Sequence, residues 1–215
     1  MAKNATPPAN RPNEALIIVD VQNDFCPDGK LAVPQGDTVV PVLNEYIKKA
    51  VALGMPVYAS RDWHPAHTTH FAQEGGPWPE HCIQDSDGAK FHLKLKLPPG
   101  AVIVTKGDNE LDDGYSAFQG HLANGQSLFE ALQDSSDPSQ RVTRVYVGGL
   151  ATDYCVERTV LSALESGLAV VWLRDASLPV EITPGDGEAA EKEMLTAGAT
   201  AITLDRFPVP KPTGQ

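Results

Sequence analysis

Cys155 lies in the stretch Arg141 to Glu165, where an apolar strand pattern (Val142, Val145, Val147) passes through Gly148-Gly149 into a helical one (Val156, Val160, Leu164). A thiol at such a hinge faces unpaired backbone N–H groups and the positive end of the helix dipole, and both favour thiolate. Taken alone, a cysteine there reads as well as a small buried apolar residue. Asp20 and Lys106 shift that balance. A thiol nucleophile needs a proton acceptor, which a carboxylate supplies. An ammonium beside both favours ionised partners, so no histidine is required as base.

A second group of reactive side chains fills the segment RDWHPAHTTHFAQEGGPWPEHC at residues 61–82. It offers Asp62, His64, His67, His70 and His81. Neutral imidazole with carboxylate is the ligand chemistry of zinc, iron or manganese rather than of calcium or magnesium. Asp62 and His64, two apart in an extended segment, point to the same side, and His70 and His81 can close the set from the loop. The alternative is a solvated His-rich loop.

The elements around these residues alternate. Apolar runs predict strands over 15–19, 56–60, 101–105, 142–147, 168–173 and 200–204, and helical spacing predicts helices over 37–53, 127–133, from Cys155 to Glu165, and 188–197. Alternation of this kind predicts an α/β fold, three-layered α/β/α around a mainly parallel six-stranded sheet. In open α/β sheets, sites form beyond the carboxyl ends of the strands. Asp20 ends the first strand, Asp62 and His64 follow the second, Lys106 the third and Cys155 the fourth. One sheet edge therefore collects the acid, the metal-type ligands, the ammonium and the thiol. The irregular stretch from Asp62 to Gly100 breaks the rhythm, and long insertions of that kind are commonly functional.

The chain of 215 residues is expected to be one domain over 14–206, with tails at 1–13 and 207–215 too poor in apolar residues to fold alone. A net charge of -11 argues against nucleic acid or an anionic membrane surface as partner. Three widely spaced cysteines, Cys26, Cys82 and Cys155, imply no disulfide framework and suit a reducing compartment. No apolar run approaches membrane-spanning length and no secretory signal is visible, so a cytoplasmic location is expected.

Taken in order, DVQNDF (Asp20–Phe25), DWHPxH…HF (Asp62–Phe71), WPEHC (Trp78–Cys82), Lys106 at a strand end, YSAF (Tyr115–Phe118) and GLATDYCV (Gly149–Val156) resemble the nicotinamidases, which are isochorismatase-like cysteine hydrolases. The resemblance runs from about Ala15 to Leu204 and implies a triad of Asp20, Lys106 and Cys155. It implies metal ligation by Asp62, His64 and His81, with His70 as fourth ligand and His67 left out. The metal implied is a single divalent transition ion, zinc first, with iron and manganese open.

The resemblance also implies an aromatic sandwich of Phe25 and Trp78 with Tyr115 nearby. An oxyanion hole would form from the Ala151 and Cys155 N–H groups, after a cis peptide at Leu150–Ala151. Tyr154 stands where some relatives carry histidine. The implied reaction is metal-dependent hydrolysis of nicotinamide, in NAD salvage, to nicotinic acid and ammonia through a thioester, with pyrazinamide also accepted. A homo-oligomer is left open. Other hydrolases of this scaffold (N-carbamoyl amidases, ureidoacrylate-type amidases, isochorismatases) lack the Asp62/His64/His81 set, and a metal-stabilised binding protein would not need the thiol.

Overall fold

A computed structural model describes residues 13–209; most of both expected tails, 1–12 and 210–215, lies outside them. Six strands form one sheet in the order β3-β2-β1-β4-β5-β6. They are β1 (Glu14–Val19), β2 (Val57–Asp62), β3 (Val102–Lys106), β4 (Arg144–Leu150), β5 (Ala169–Leu178) and β6 (Thr200–Ile202). Every pairing is parallel, with Leu16 opposite both Val57 and Tyr146. The α/β/α architecture expected from the alternation is thus the one observed.

Strand β1 shows why the sheet is buried on both faces. Leu16 and Ile18 pack with Val40, Leu43 and Ile47 of α1 (Val39–Ala52). Ala15, Ile17 and Val19 pack on the other face with Leu128 and Leu132 of α2 (Leu128–Leu132) and with Val160 and Ala163 of α3 (Glu157–Glu165). Met194 of α4 (Asp186–Ala197) joins that second cluster. An unbroken apolar run is what a central parallel strand requires. Helix α2 begins at a capping box in which Ser127 and Glu130 each take the other's backbone N–H.

Several boundaries differ from the sequence reading, β5 for example running on to Leu178. Strand β4 runs on through Gly148 and Gly149 to Leu150, because Gly149, at φ 136, lets the chain press against the backbone of Val19 where no Cβ fits. The helix after the thiol begins at Glu157, preceded by a π-helical turn over Thr152–Val156 that carries Cys155. Phe207, the first residue of the expected C-terminal tail, is instead 2% exposed. Its ring packs edge-on against Tyr46 at 5.1 Å and Tyr146 at 4.7 Å. No helix among the described residues is long and apolar enough to cross a membrane.

Candidate active site

The carboxyl ends of β1 to β4 converge, and their side chains meet in one buried cluster. Lys106, fully buried at the end of β3, directs its ammonium to Asp20 Oδ2 at 2.7 Å and to Cys155 Sγ at 3.6 Å. It also donates to Asp62 Oδ1 and to the Gly114 carbonyl. Ser60 donates to the other oxygen of Asp20 at 2.7 Å. Carboxylate oxygens of Asp20 and Asp62 and the Cys155 sulfur lie within 4.8 Å of one another. The sequence reading gave Lys106 one carboxylate; the structure gives it two, the second belonging to the histidine cluster.

Burial decides the protonation of this group. It pushes the Cys155 thiol well above its usual range, and the nearby Lys106 ammonium offsets only part of that. The expectation of a resting thiolate is therefore corrected: the sulfur sits in a desolvated turn rather than at a helix N-terminus. Burial likewise raises Asp20 to about 6 against the pull of Lys106. For Asp62, Lys106 and the neighbouring histidines outweigh burial and hold the carboxyl below the usual range. Two carboxyls separated in this way divide the work, one able to take a proton near neutrality and one staying charged.

On the far side of Asp62, ring nitrogens of His64, His70 and His81 come within 4.8 Å of one another. Asp62 Oδ2 is 3.7 Å from His64 Nε2 and 3.9 Å from His81 Nε2. The Pro79 carbonyl lies 2.8 Å from His81 Nδ1, leaving Nε2 to face Asp62. Both ring nitrogens of His64 are buried with no hydrogen-bond partner. Buried polar atoms are rarely left so, and an ion held by the cluster would satisfy one of the two. Burial and the neighbouring imidazoles lower His70 to about 4, and burial lowers His81, which favours the neutral form that ligates metals. The four residues fit a divalent transition metal. His67 is elsewhere, exposed and 3.2 Å from Glu74.

A narrow cavity opens onto both groups. Phe25, Trp78, Tyr115, Ala151 and Cys155 line it, together with Tyr154. Trp78 Nε1 donates to Tyr115 Oη at 2.8 Å, and Tyr154 meets the Trp78 ring edge-on at 4.8 Å. The Leu150–Ala151 peptide is cis. The sequence reading missed Leu31, Val33 and Val180, which complete the apolar wall. Their loops carry no periodic pattern that could have marked them.

It also missed two buried polar residues of DVQNDF. Gln22 holds the Asp62 backbone from both sides, donating to its carbonyl and accepting from its N–H, each at 2.8 Å. Asp24 accepts from the N–H of Cys82 at 2.7 Å, next to His81. A polar residue three positions past the end of β1 was the available signal for Gln22.

An isochorismatase domain model matches residues 14–206. The chain is 42% identical over 208 residues to the nicotinamidase of Escherichia coli (strain K12), covering 90% of this chain and 96% of that one. The chain belongs to the nicotinamidases of the isochorismatase family. The nicotinamidase/pyrazinamidase of Mycobacterium tuberculosis is 35% identical, with 87% of this chain and 97% of that one covered. Among solved structures, the pyrazinamidase of Pyrococcus horikoshii in complex with zinc superposes with a TM-score of 0.80 at 42% identity, covering 89% of this chain and 99% of that one. PnC1 from L. infantum in complex with nicotinate gives 0.78 at 34% identity, with 92% and 96% covered. The nicotinamidases thus share with this chain nearly its whole described length.

Proposed function

We propose that residues 14–206 act as one catalytic unit hydrolysing nicotinamide to nicotinic acid and ammonia. The observation that carries this is the meeting of Cys155, Asp20 and Lys106 at one wall of an aromatic cavity, with three histidines and Asp62 beside it. Its likeness to zinc- and nicotinate-bound relatives supports the same reading. Asp62, His64, His70 and His81 would hold the metal. Zinc is favoured by the relative crystallised with it, and iron and manganese suit the same donors. When bound, the ion supplies a Lewis-acid anchor for the pyridine nitrogen.

Phe25 and Trp78 hold the ring between them, with Tyr115 bracing Trp78 through its hydroxyl. The Cys155 sulfur attacks the carboxamide carbon as its proton passes to Asp20, whose carboxyl, raised to about 6, is a competent acceptor at neutral pH. Lys106 keeps the two partners together and offsets the negative charge between them. The Ala151 and Cys155 N–H groups receive the tetrahedral oxyanion, a donor of this kind being worth about 3 kcal/mol. Collapse breaks the C–N bond, and Asp20 returns its proton to nitrogen, which departs as ammonia. Water then adds to the thioester, giving its proton to Asp20. The second collapse breaks the C–S bond and the sulfur recovers the proton.

Pyrazinamide, a single-ring amide of the same shape, fits the same cavity and is proposed as a second substrate. Three free, buried cysteines suit a reducing compartment, and the proposal places the enzyme in the cytoplasm, in NAD salvage. Ammonia release from nicotinamide, measured for the parent and for Cys155→Ala, tests the reading. Turnover by the parent and none by the folded variant is expected. Substantial activity in Cys155→Ala removes the sulfur from the mechanism.

A further inference from the structure

The loop between β3 and Tyr115, residues 107–114, meets the site at three points through its backbone. Its first residue, Gly107 (φ 63), lies under the His64 ring so closely that a Cβ would stand 2.5 Å from His64 Cε1. Midway, the Glu110 carbonyl accepts from Thr69 N at 3.0 Å, Thr69 Oγ1 at 3.0 Å and Thr68 Oγ1 at 3.1 Å. Thr68 Oγ1 in turn accepts from the His70 N–H at 3.3 Å. At its end, the Gly114 carbonyl receives the Lys106 ammonium, and the next residue is the cavity residue Tyr115.

One side chain closes this loop. Asp112 accepts from Gly107 N through Oδ2 at 3.2 Å and from Gly114 N through Oδ1 at 3.0 Å. The two glycines are thereby drawn so near that a Cβ on Gly114 would stand 2.7 Å from Gly107 Cα. Resting on the function proposed above, we infer that Asp112 is a positioning residue. By clamping the neck of the loop, it sets His64 and His70 for the metal and the Gly114 carbonyl for Lys106 at once. No contact of Asp112 reaches the metal ligands, Lys106 or the cavity directly; it acts through the loop backbone. Asparagine has one carbonyl oxygen where the carboxylate has two, so Asp112→Asn leaves one of the two N–H groups without its acceptor.

The test uses the full chain with Co2+ as a spectroscopic probe in place of the native ion. Asp112→Asn should weaken Co2+ binding by about tenfold or more, within the range of outer-shell changes at metal sites. It should change the visible absorption of the bound cobalt and lower kcat for nicotinamide more than it changes KM. Asp113→Asn, whose neighbouring exposed carboxylate accepts from Gln119 Nε2 at 3.2 Å and not from the loop glycines, should leave all three readings at the parent values. Unchanged cobalt spectrum and affinity in Asp112→Asn overturn the inference, whether or not the melting temperature falls. If that variant does not fold, Thr68→Val cuts another attachment of the same loop and must change the cobalt spectrum, or the inference fails. A parent that binds cobalt normally but releases no ammonia from nicotinamide refutes the proposed function and leaves the clamp to the spectrum.

Discussion

Lys106→Met removes a charge while nearly preserving side-chain length, and the structure fixes what is left behind. Asp20 Oδ2 has the ammonium as its ionic partner at 2.7 Å and no hydrogen bond otherwise. Asp62 Oδ1 and the Gly114 carbonyl lose their donor as well. At 2.7 Å and an effective dielectric of 20, one such pair is worth about 6 kcal/mol before desolvation. Removing one partner of a buried pair typically costs about 3–5 kcal/mol in stability, and an orphaned carbonyl adds about 1 kcal/mol or more. A loss of about 4–6 kcal/mol near pH 8 follows.

The pH dependence of that loss has a definite sign. The folded-state pKa of Lys106 is raised, so its contribution is fully present below the ordinary lysine value and is flat from pH 5 to 9. Asp20 already titrates at about 6, and without Lys106 it shifts higher still. A carboxyl with a raised folded pKa destabilises the fold as pH rises past its unfolded value, and protonation relieves this at lower pH. The deficit of Lys106→Met should therefore shrink between pH 8 and pH 5.5. Guanidinium unfolding of both proteins at the two pH values measures it. A deficit under 1 kcal/mol, or one that grows on acidification, would falsify this account of the cluster.

His64→Ala, or prolonged chelation of the parent, should strip the metal and raise KM for nicotinamide at least tenfold; elemental analysis and substrate titration check both parts. Full affinity in metal-free protein would separate substrate binding from the histidine set. Glu157, 7% exposed at the start of α3, is raised to about 6, first by burial and then by Glu193. Its ionisation therefore lowers stability as pH rises from about 4.5 to about 6. That interval corresponds to about 2 kcal/mol, which solvent screening reduces to about 1 kcal/mol. Glu157→Gln should gain about that much at pH 7.5 and nothing at pH 4, in urea unfolding at each pH. An equal gain at both would assign the effect to packing.

What the sequence displayed, and what it hid, divides along physical lines. Strand ends are legible because an unbroken apolar run stops where the sheet stops, so the sequence alone places Asp20, Asp62, Lys106 and Cys155 at one edge. The protonation of Cys155 was not legible, since it turns on whether its turn is α or π and on how much solvent reaches the sulfur. Phe207 looked like part of a Pro-rich tail because a lone aromatic has no period; only Tyr46 and Tyr146 at its flanks bring it into the core. Leu31 and Val33 were hidden for the same reason. Asp112 lies among Asp108, Glu110 and Asp113, and the clamp inferred for it depends on two backbone N–H groups that no side-chain pattern reveals.

The two halves of the site are better regarded as one electrostatic unit than as a triad beside a metal pocket. Asp62 turns Oδ1 to Lys106 and Oδ2 toward His64 and His81, so the same carboxylate belongs to both. Lys106 in turn divides its ammonium between Asp62 and Asp20. With an ion held by Asp62, that carboxylate would have less negative charge to share with Lys106, and the ammonium would be freer to offset charge on Asp20 and sulfur. Filling the histidine pocket would thus change the charge balance at the nucleophile. That coupling gives a physical reason for the lysine to be buried: at the surface, solvent would screen it from both carboxylates and the two halves would act independently.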